Sequence, residues 1–230
     1  WYLLDGVEAM APAGTEAIAA FGDSITDGTN STINGDDRWP DVLSQRVHAA
    51  MGTRAAVVNT GIGGNRIIGP EPYDLGKPFS GGPSALDRLD RDVLSIAGLK
   101  AVIWLEGIND LGAGSSAEDI VAGMRRGVER LHEHHIKVIG ATIISALTST
   151  PTQGTPEVDA KRQTINRFIR TGGVFDGVAD FDAATLDAKT GALKAEFQPG
   201  SSTGGPGDRL HPNRAGYQAM ARAIDLSLLR

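Results

Sequence analysis

Four short segments of this chain carry side chains that could do chemistry together. Gly22-Asp23-Ser24-Ile25-Thr26 offers a hydroxyl nucleophile in a turn. Asn59-Thr60-Gly61-Ile62-Gly63-Gly64-Asn65-Arg66 offers backbone N–H groups that no side chain screens. Glu106-Gly107-Ile108-Asn109-Asp110 offers a carboxamide, and Asp208-Arg209-Leu210-His211-Pro212-Asn213 offers a base with a carboxylate three residues before it. A serine hydroxyl is a weak nucleophile; it needs a base within hydrogen-bond reach, and the base needs a partner that holds it. Ser24, His211 and Asp208 can meet that need in the chain order Ser, Asp, His, the logic of a catalytic triad. An oxyanion forming on a carbonyl needs donors aimed at it. The Ser24 N–H, an N–H of the glycine run and the Asn109 amide could supply three. Glycine serves there because a backbone without Cβ can approach closely.

These segments can meet only if the elements before them run the same way. Ala17–Phe21 is a compact apolar run ended by Gly22 and reads as a buried strand. Ala55–Asn59, Ala101–Leu105, Val138–Ile144 and a weaker Gly177–Phe181 read likewise. Helical spacing fills the gaps. Trp39–Met51 has apolar residues at Val42, Leu43, Val47 and Ala50. A shorter helix is predicted over Ser84–Leu94. Ser115 followed by Glu118 predicts a capping box opening Ala117–His134. Val158–Thr171 is periodic and stops at Gly172-Gly173, and Asn213 can cap a last helix running to about Leu228. Strand–helix alternation along the whole chain predicts one α/β domain over residues 15–230 with a five-stranded parallel sheet. Residues 1–14 do not fit the alternation and read as an extended lead-in or the remnant of an upstream region. Three loops rich in Gly, Pro, Ser and Thr (Ile67–Pro83, Ala146–Thr155, Phe197–Gly207) are expected to rim a pocket, since ligands of open α/β sheets sit beyond the carboxyl ends of the strands.

Composition removes several function classes. With 40% hydrophobic and 22% charged residues, the 230-residue chain can bury a sizeable core. A net charge of -6 with no basic stripe argues against nucleic acid as a partner. No apolar run approaches the ~20 residues of a membrane span. With no cysteine, disulfides and thiolate metal sites are excluded. A chain that begins at Trp1 without Met or signal-peptide pattern reads as a processed or trimmed product.

The four segments resemble the sequence blocks of the SGNH (GDSL-type) hydrolases. Phe21–Gly28 (FGDSITDG) resembles the first block, Gly61–Asn65 the second, Gly107–Asp110 the third and Asp208–His211 the last. Arg38-Trp39-Pro40, Gly64-Asn65-Arg66 and Gly82-Pro83-Ser84-Ala85-Leu86 resemble features of an arylesterase/acylhydrolase subgroup found among carbohydrate esterases. The resemblance implies a flavodoxin-like three-layer α/β/α sandwich and an acyl-enzyme mechanism without cofactor or metal. It implies Ser24 as nucleophile, His211 as base, Asp208 as its partner, and an oxyanion hole of Ser24, Gly64 and Asn109, with Gly63 beside Gly64 as the neighbouring candidate. It also implies a small-molecule or carbohydrate ester as substrate, a short acyl group such as acetyl on a plant polysaccharide, and secretion or export. A lysophospholipase- or thioesterase-like acyl hydrolase of the same fold is the alternative.

Plainer roles fit other residues. Asp23, Asp27 and Asp110 read as caps and braces. His132-Glu133-His134-His135 lacks the i, i+4 spacing of a helical zinc motif and reads as the basic end of a helix. Asn30-Ser31-Thr32 is a formal glycosylation sequon. Tyr73 and Phe79 could line an acyl or sugar site or merely anchor their loop. A metal-dependent phosphoesterase would need several His and carboxylate ligands, and only five histidines are present, three of them in one helix end. A nucleotide fold is disfavoured: Gly61-x-Gly63 fails as a dinucleotide fingerprint at Arg66, and no P-loop occurs. Ser24 also lacks the Gly-x-Ser-x-Gly of an α/β-hydrolase elbow.

Overall fold

The computed structural model describes residues 9–70, 72–201 and 204–229. Five parallel strands form one sheet: β1 (Glu16–Gly22), β2 (Ala55–Gly61), β3 (Leu99–Leu105), β4 (Lys137–Ala141) and β5 (Gly177–Ala179). Their spatial order is β2-β1-β3-β4-β5, the doubly wound order of a flavodoxin-like sheet. β1 and β3 are buried almost throughout, so they read as unbroken apolar runs. β2 is an edge and only half-buried, which is why it tolerates Asn59 and Thr60.

Parallel strands need crossovers, and strand twist favours right-handed ones. α2 (Trp39–Met51) makes the first and packs on α8 (Arg214–Arg222), which in turn contacts α7 (Phe181–Thr185). α3 (Ala85–Leu89), continued by a π-helical turn at Asp90–Leu94, packs on α5 (Ala117–Glu133), and α5 packs on α6 (Pro156–Thr171). Helices therefore cover both faces of the sheet. α5 buries Ala117, Ile120, Met124, Val128 and Leu131, the stripe that helical periodicity requires. No helix among the described residues is long and apolar enough to cross a membrane.

Several boundaries differ from the sequence reading for local reasons. Ser116, one residue later than expected, caps α5 by accepting the Asp119 N–H. α2 buries Trp39, Leu43 and Val47, an i, i+4, i+8 row, while Ala50 faces solvent. β4 stops at Ala141: the Thr142 N–H still reaches the Ala179 carbonyl at 3.1 Å, but α6 takes over the backbone groups of Ile143. Asn166 Oδ1 accepts the Ile143 N–H at 2.7 Å, and its Nδ2 donates to the Ile143 carbonyl at 2.8 Å. β5 stops at Ala179 because Asp180 caps α7, drawing Phe181 into a helix. There Phe181 packs against Trp39, ring centroids 5.3 Å apart. Asn213 caps α8 as expected, but the helix ends at Arg222 and a short 3-10 turn covers Leu226–Leu229. Most of the residue 1–14 lead-in lies outside the described residues; 9–14 carry no helix or strand.

Register is what brings the chemical segments together. Gly22 on β1 is level with Gly61 on β2 and Leu105 on β3. The residues that follow these three positions leave the sheet side by side at its carboxyl edge.

Candidate active site

Ser24 follows β1 by two residues. Asp23 caps the four-residue helix α1 (Ser24–Asp27), its Oδ1 accepting the Ile25 N–H at 2.9 Å. Ser24 is the first residue of that helix, so its own N–H is one of the donors a helix start leaves without an internal partner. Its Oγ lies 2.7 Å from Nε2 of His211. His211 Nδ1 lies 2.5 Å from Oδ2 of Asp208. A carboxylate only accepts, so Nδ1 carries the proton and Nε2 is left as the acceptor for the serine O–H. Residues 187 positions apart thus meet in one hydrogen-bonded chain.

The turn carrying Asp208 and His211 is held from several sides. Asp208 Oδ1 accepts the N–H groups of Leu210 at 3.0 Å and His211 at 2.8 Å. Arg209 between them adopts φ 61°, sparsely populated for a residue with a Cβ. Asn213 anchors the far side: it donates through Nδ2 to the Glu196 carbonyl and through its N–H to the Phe197 carbonyl, both at 2.9 Å. Asn30 Nδ2 donates to the His211 carbonyl at 3.3 Å, giving the formal sequon a structural duty. Partial burial by itself raises the Asp208 carboxyl. The hydrogen bonds from the His211 ring, the His211 N–H and the Leu210 N–H outweigh it and bring Asp208 down to about 2. It is therefore ionised wherever an imidazole could act as a base.

Beside β2, Asn65 N–H closes a turn onto the Ile62 carbonyl at 3.1 Å, with Gly64 at φ 80°. That third turn position requires the left-handed region, hence glycine. Among the described residues the Gly64 N–H has no hydrogen-bond partner. Beside β3, helix α4 (Ile108–Gly112) carries Asn109. Its Nδ2 donates to the Asn65 carbonyl at 3.0 Å, which joins the second segment to the third. Its Oδ1 accepts Gln153 Nε2 at 3.1 Å. Asp110 is a brace, as expected: its carboxylate accepts the Ile67 N–H at 2.9 Å and the Ile68 N–H at 3.1 Å. Burial lifts it to about 6 against those bonds.

Beneath the site lies a buried charge cluster that sequence reasoning missed. Arg88, 1% exposed, donates to Asn65 Oδ1 at 2.7 Å, the Thr60 carbonyl at 2.7 Å, the Gly22 carbonyl at 2.9 Å and Asp92 at 3.2 Å. It pairs with Glu106 at 3.4 Å. One guanidinium therefore ties together the ends of β1, β2 and β3. Asn65 in turn donates to the carbonyls of Gly81 at 2.6 Å and Pro83 at 2.7 Å. The Gly64-Asn65-Arg66 and Gly82–Leu86 features are thus two sides of one contact. Burial pushes Glu106 up to about 7, with Arg88 and the Trp104 indole opposing. Burial pushes Asp23 up to about 8, reinforced by Glu106 and Asp110. Nothing local marked Arg88 in the sequence, since an arginine in a charged helix usually faces solvent.

The remaining candidates take ordinary places. His132 pairs with Asp176 at 2.8 Å at the end of α5. Tyr73 and Phe79 brace their own loop: the Tyr73 hydroxyl reaches the Phe79 carbonyl at 3.5 Å, and Arg66 stacks on the Phe79 ring at 4.6 Å. Among the described residues no three His, Asp or Glu side chains are grouped to hold a metal ion.

The model of the GDSL-like lipase/acylhydrolase family matches residues 20–219. No curated protein sequence matches the chain. Solved structures share its fold. A GDSL-like lipase from Bacteroides thetaiotaomicron superposes with a TM-score of 0.66 at 16% identity, over 99% of this chain and 92% of that one. A candidate arylesterase from Agrobacterium tumefaciens gives 0.63 at 22% identity, over 90% and 95%. An acetylxylan esterase from Geobacillus stearothermophilus gives 0.65 at 19% identity, over 96% of each chain.

Proposed function

The chain belongs to the GDSL-like lipase/acylhydrolase family and is a carboxylic ester hydrolase, and we propose that it works through Ser24, His211 and Asp208 on short-chain, acetyl-type esters. The observation that carries this reading is the chain of contacts from Ser24 Oγ through the His211 ring to Asp208, 2.7 Å and 2.5 Å. Ser24 Oγ attacks the ester carbonyl while His211 Nε2 takes its proton. Asp208 keeps the ring in the right tautomer and faces the imidazolium that forms. The Ser24 N–H, the Gly64 N–H and the Asn109 amide receive the negative charge on the carbonyl oxygen. His211 then returns the proton to the departing alcohol, leaving an acyl group on Ser24. Water attacks this ester, again losing its proton to Nε2, and Ser24 leaves with that proton as the acid departs. Every proton taken is given back, so no further reactant enters.

The substrate class has thinner support. Aromatic residues are only 5% of the chain, and the loops near the strand ends are rich in Gly, Pro, Ser and Thr, which favours a small acyl group over a fatty chain. One structural neighbour is an acetylxylan esterase, which supports acetyl groups on a plant polysaccharide. Such a polymer lies outside the cell, so the same reading takes the protein to be exported. Rates on p-nitrophenyl acetate, butyrate and a long-chain ester, with acetate release from acetylated xylan, test this. Acetate is expected to be cleaved fastest. A preference for the long chain overturns the acetyl reading in favour of a lysophospholipase-like one.

A further inference from the structure

We propose that Gln153 is a positioning residue: through its hydrogen bond to Asn109 it fixes which way the Asn109 amide faces, and so keeps an N–H turned to the reacting carbonyl oxygen. The inference rests on the reading of Asn109 as an oxyanion donor.

An asparagine amide can sit either way round, its O and N exchanged, unless its neighbours decide. Here they do. The Asn65 carbonyl can only accept, so the Asn109 group 3.0 Å from it must be the NH2. Oδ1 is then on the other side and needs a donor. Gln153 Nε2 supplies it at 3.1 Å. That fixes the Gln153 amide in its turn, with Oε1 facing the Thr150 hydroxyl at 2.8 Å. Oε1 can only accept, so the Thr150 proton is given to it, while Thr150 Oγ1 itself accepts the Gln153 N–H at 3.1 Å. Donation runs one way from Thr150 to Gln153 to Asn109 to Asn65. One N–H of Asn109 is spent on Asn65, and the second is the one left for an oxyanion. Bonds aligned in this way polarise one another, which strengthens the terminal donor.

The surroundings are built to deliver this side chain. Gln153 sits on the loop after β4, which is cross-linked by its own backbone. Thr148 N–H donates to the Gly154 carbonyl at 2.9 Å, Ser149 N–H to the Ala146 carbonyl at 2.9 Å, and Gly154 N–H to the Thr150 carbonyl at 2.8 Å. α4 leaves room for it at Gly112, where a Cβ would come within 2.7 Å of Gln153 Cγ.

Steady-state kinetics on p-nitrophenyl acetate test the inference with Asn109→Ala, Gln153→Ala, Gln153→Glu and the double variant Asn109→Ala/Gln153→Ala. Gln153→Ala should lower kcat by about tenfold or more, a misplaced donor losing part of the roughly 10²–10³ that its removal loses. KM should stay within about twofold, since the interaction is made in the transition state. Gln153→Glu keeps the shape but cannot donate, and it draws the Asn109 NH2 toward itself. It should therefore be slower than Gln153→Ala, the reverse of what a packing role would give. It also carries the test should the alanine variant fold poorly. The double variant should be no slower than Asn109→Ala alone. Full additivity, or Gln153 variants within about twofold of wild type while Asn109→Ala loses 10²–10³, overturns the inference and leaves the oxyanion reading standing. A loss below about threefold in Asn109→Ala overturns the oxyanion reading, and the inference with it.

Discussion

Replacing Arg88 by methionine isolates the contribution of the buried guanidinium. Methionine retains most of the stem's volume, so the loss is mainly of polar contacts. Two buried acceptors lose their donor, Asn65 Oδ1 and Glu106 Oε1, and the part-buried Thr60 carbonyl loses one bond. The Gly22 carbonyl still accepts the Ile62 N–H at 3.0 Å. Each neutral acceptor left unmet costs about 1–3 kcal/mol. A buried carboxylate stripped of its partner would cost about 3–5 kcal/mol. Glu106 can avoid most of that by taking a proton, because burial already holds it at about 7. Losing the positive neighbour raises it further. Arg88→Met should therefore lose roughly 2–5 kcal/mol near pH 6, a large part of the ~5–15 kcal/mol that holds a domain together. The loss should be greater at pH 8, where Glu106 must be protonated against the solution. Glu106→Gln in the same chain should remove that extra loss. Urea unfolding of the three proteins at pH 6 and pH 8 measures it. A loss under about 1 kcal/mol, equal at both pH values, would refute the assignment of Arg88 as the tie between the three strand ends.

The same cluster makes stability depend on pH. Asp23, Glu106 and Asp110 titrate in the fold at about 8, 7 and 6, all above the ordinary carboxyl range. The folded chain thus holds protons that the unfolded chain has released, and stability falls as pH rises through those values. Asp208, held at about 2, works the other way: its contribution is complete above the ordinary carboxyl value and disappears as pH falls toward 2. Thermal midpoints should peak near the ordinary carboxyl value of about pH 4 and fall from there toward pH 8, and a maximum at pH 8 or above would contradict the buried-cluster account. Asp208→Asn should remove the acid-side term. It should also lower kcat by about 10³–10⁴ by favouring the wrong histidine tautomer, with a loss under tenfold counting against the pairing.

Much of the site was legible because its parts are local motifs at strand ends. An apolar run stopped by glycine marks where β1, β2 and β3 finish, and chemistry-bearing residues follow each one directly. The contact between His211 and Asp208 could be read from type and spacing, since the two sit three apart and their bond needs only a turn. Long-range pairing was not legible. Gln153 lies in a loop of Ser, Thr, Pro and Gly where one more polar residue carries no signal. Its partner is 44 positions away. Arg88 looked like part of a charged helix, and only the register of three strands shows that its face is turned inward. The ends of β4 and β5 were misjudged for a related reason. Apolar character continues past Ala141 and Ala179, but the Asn166 side chain captures the Ile143 N–H and Asp180 caps a helix by accepting the Ala183 N–H.

Hydrolysis of p-nitrophenyl acetate by wild type and Ser24→Ala, each with and without EDTA, tests the central claim most directly. Transfer of the acyl group through Ser24 predicts that wild type is unaffected by the chelator. It also predicts that the alanine variant falls to at most about 10⁻³ of the wild-type rate, the residue left by binding and the oxyanion hole alone. A Ser24→Ala protein that keeps its rate, or a wild type that EDTA silences, would contradict it and move the chemistry to a metal-dependent site.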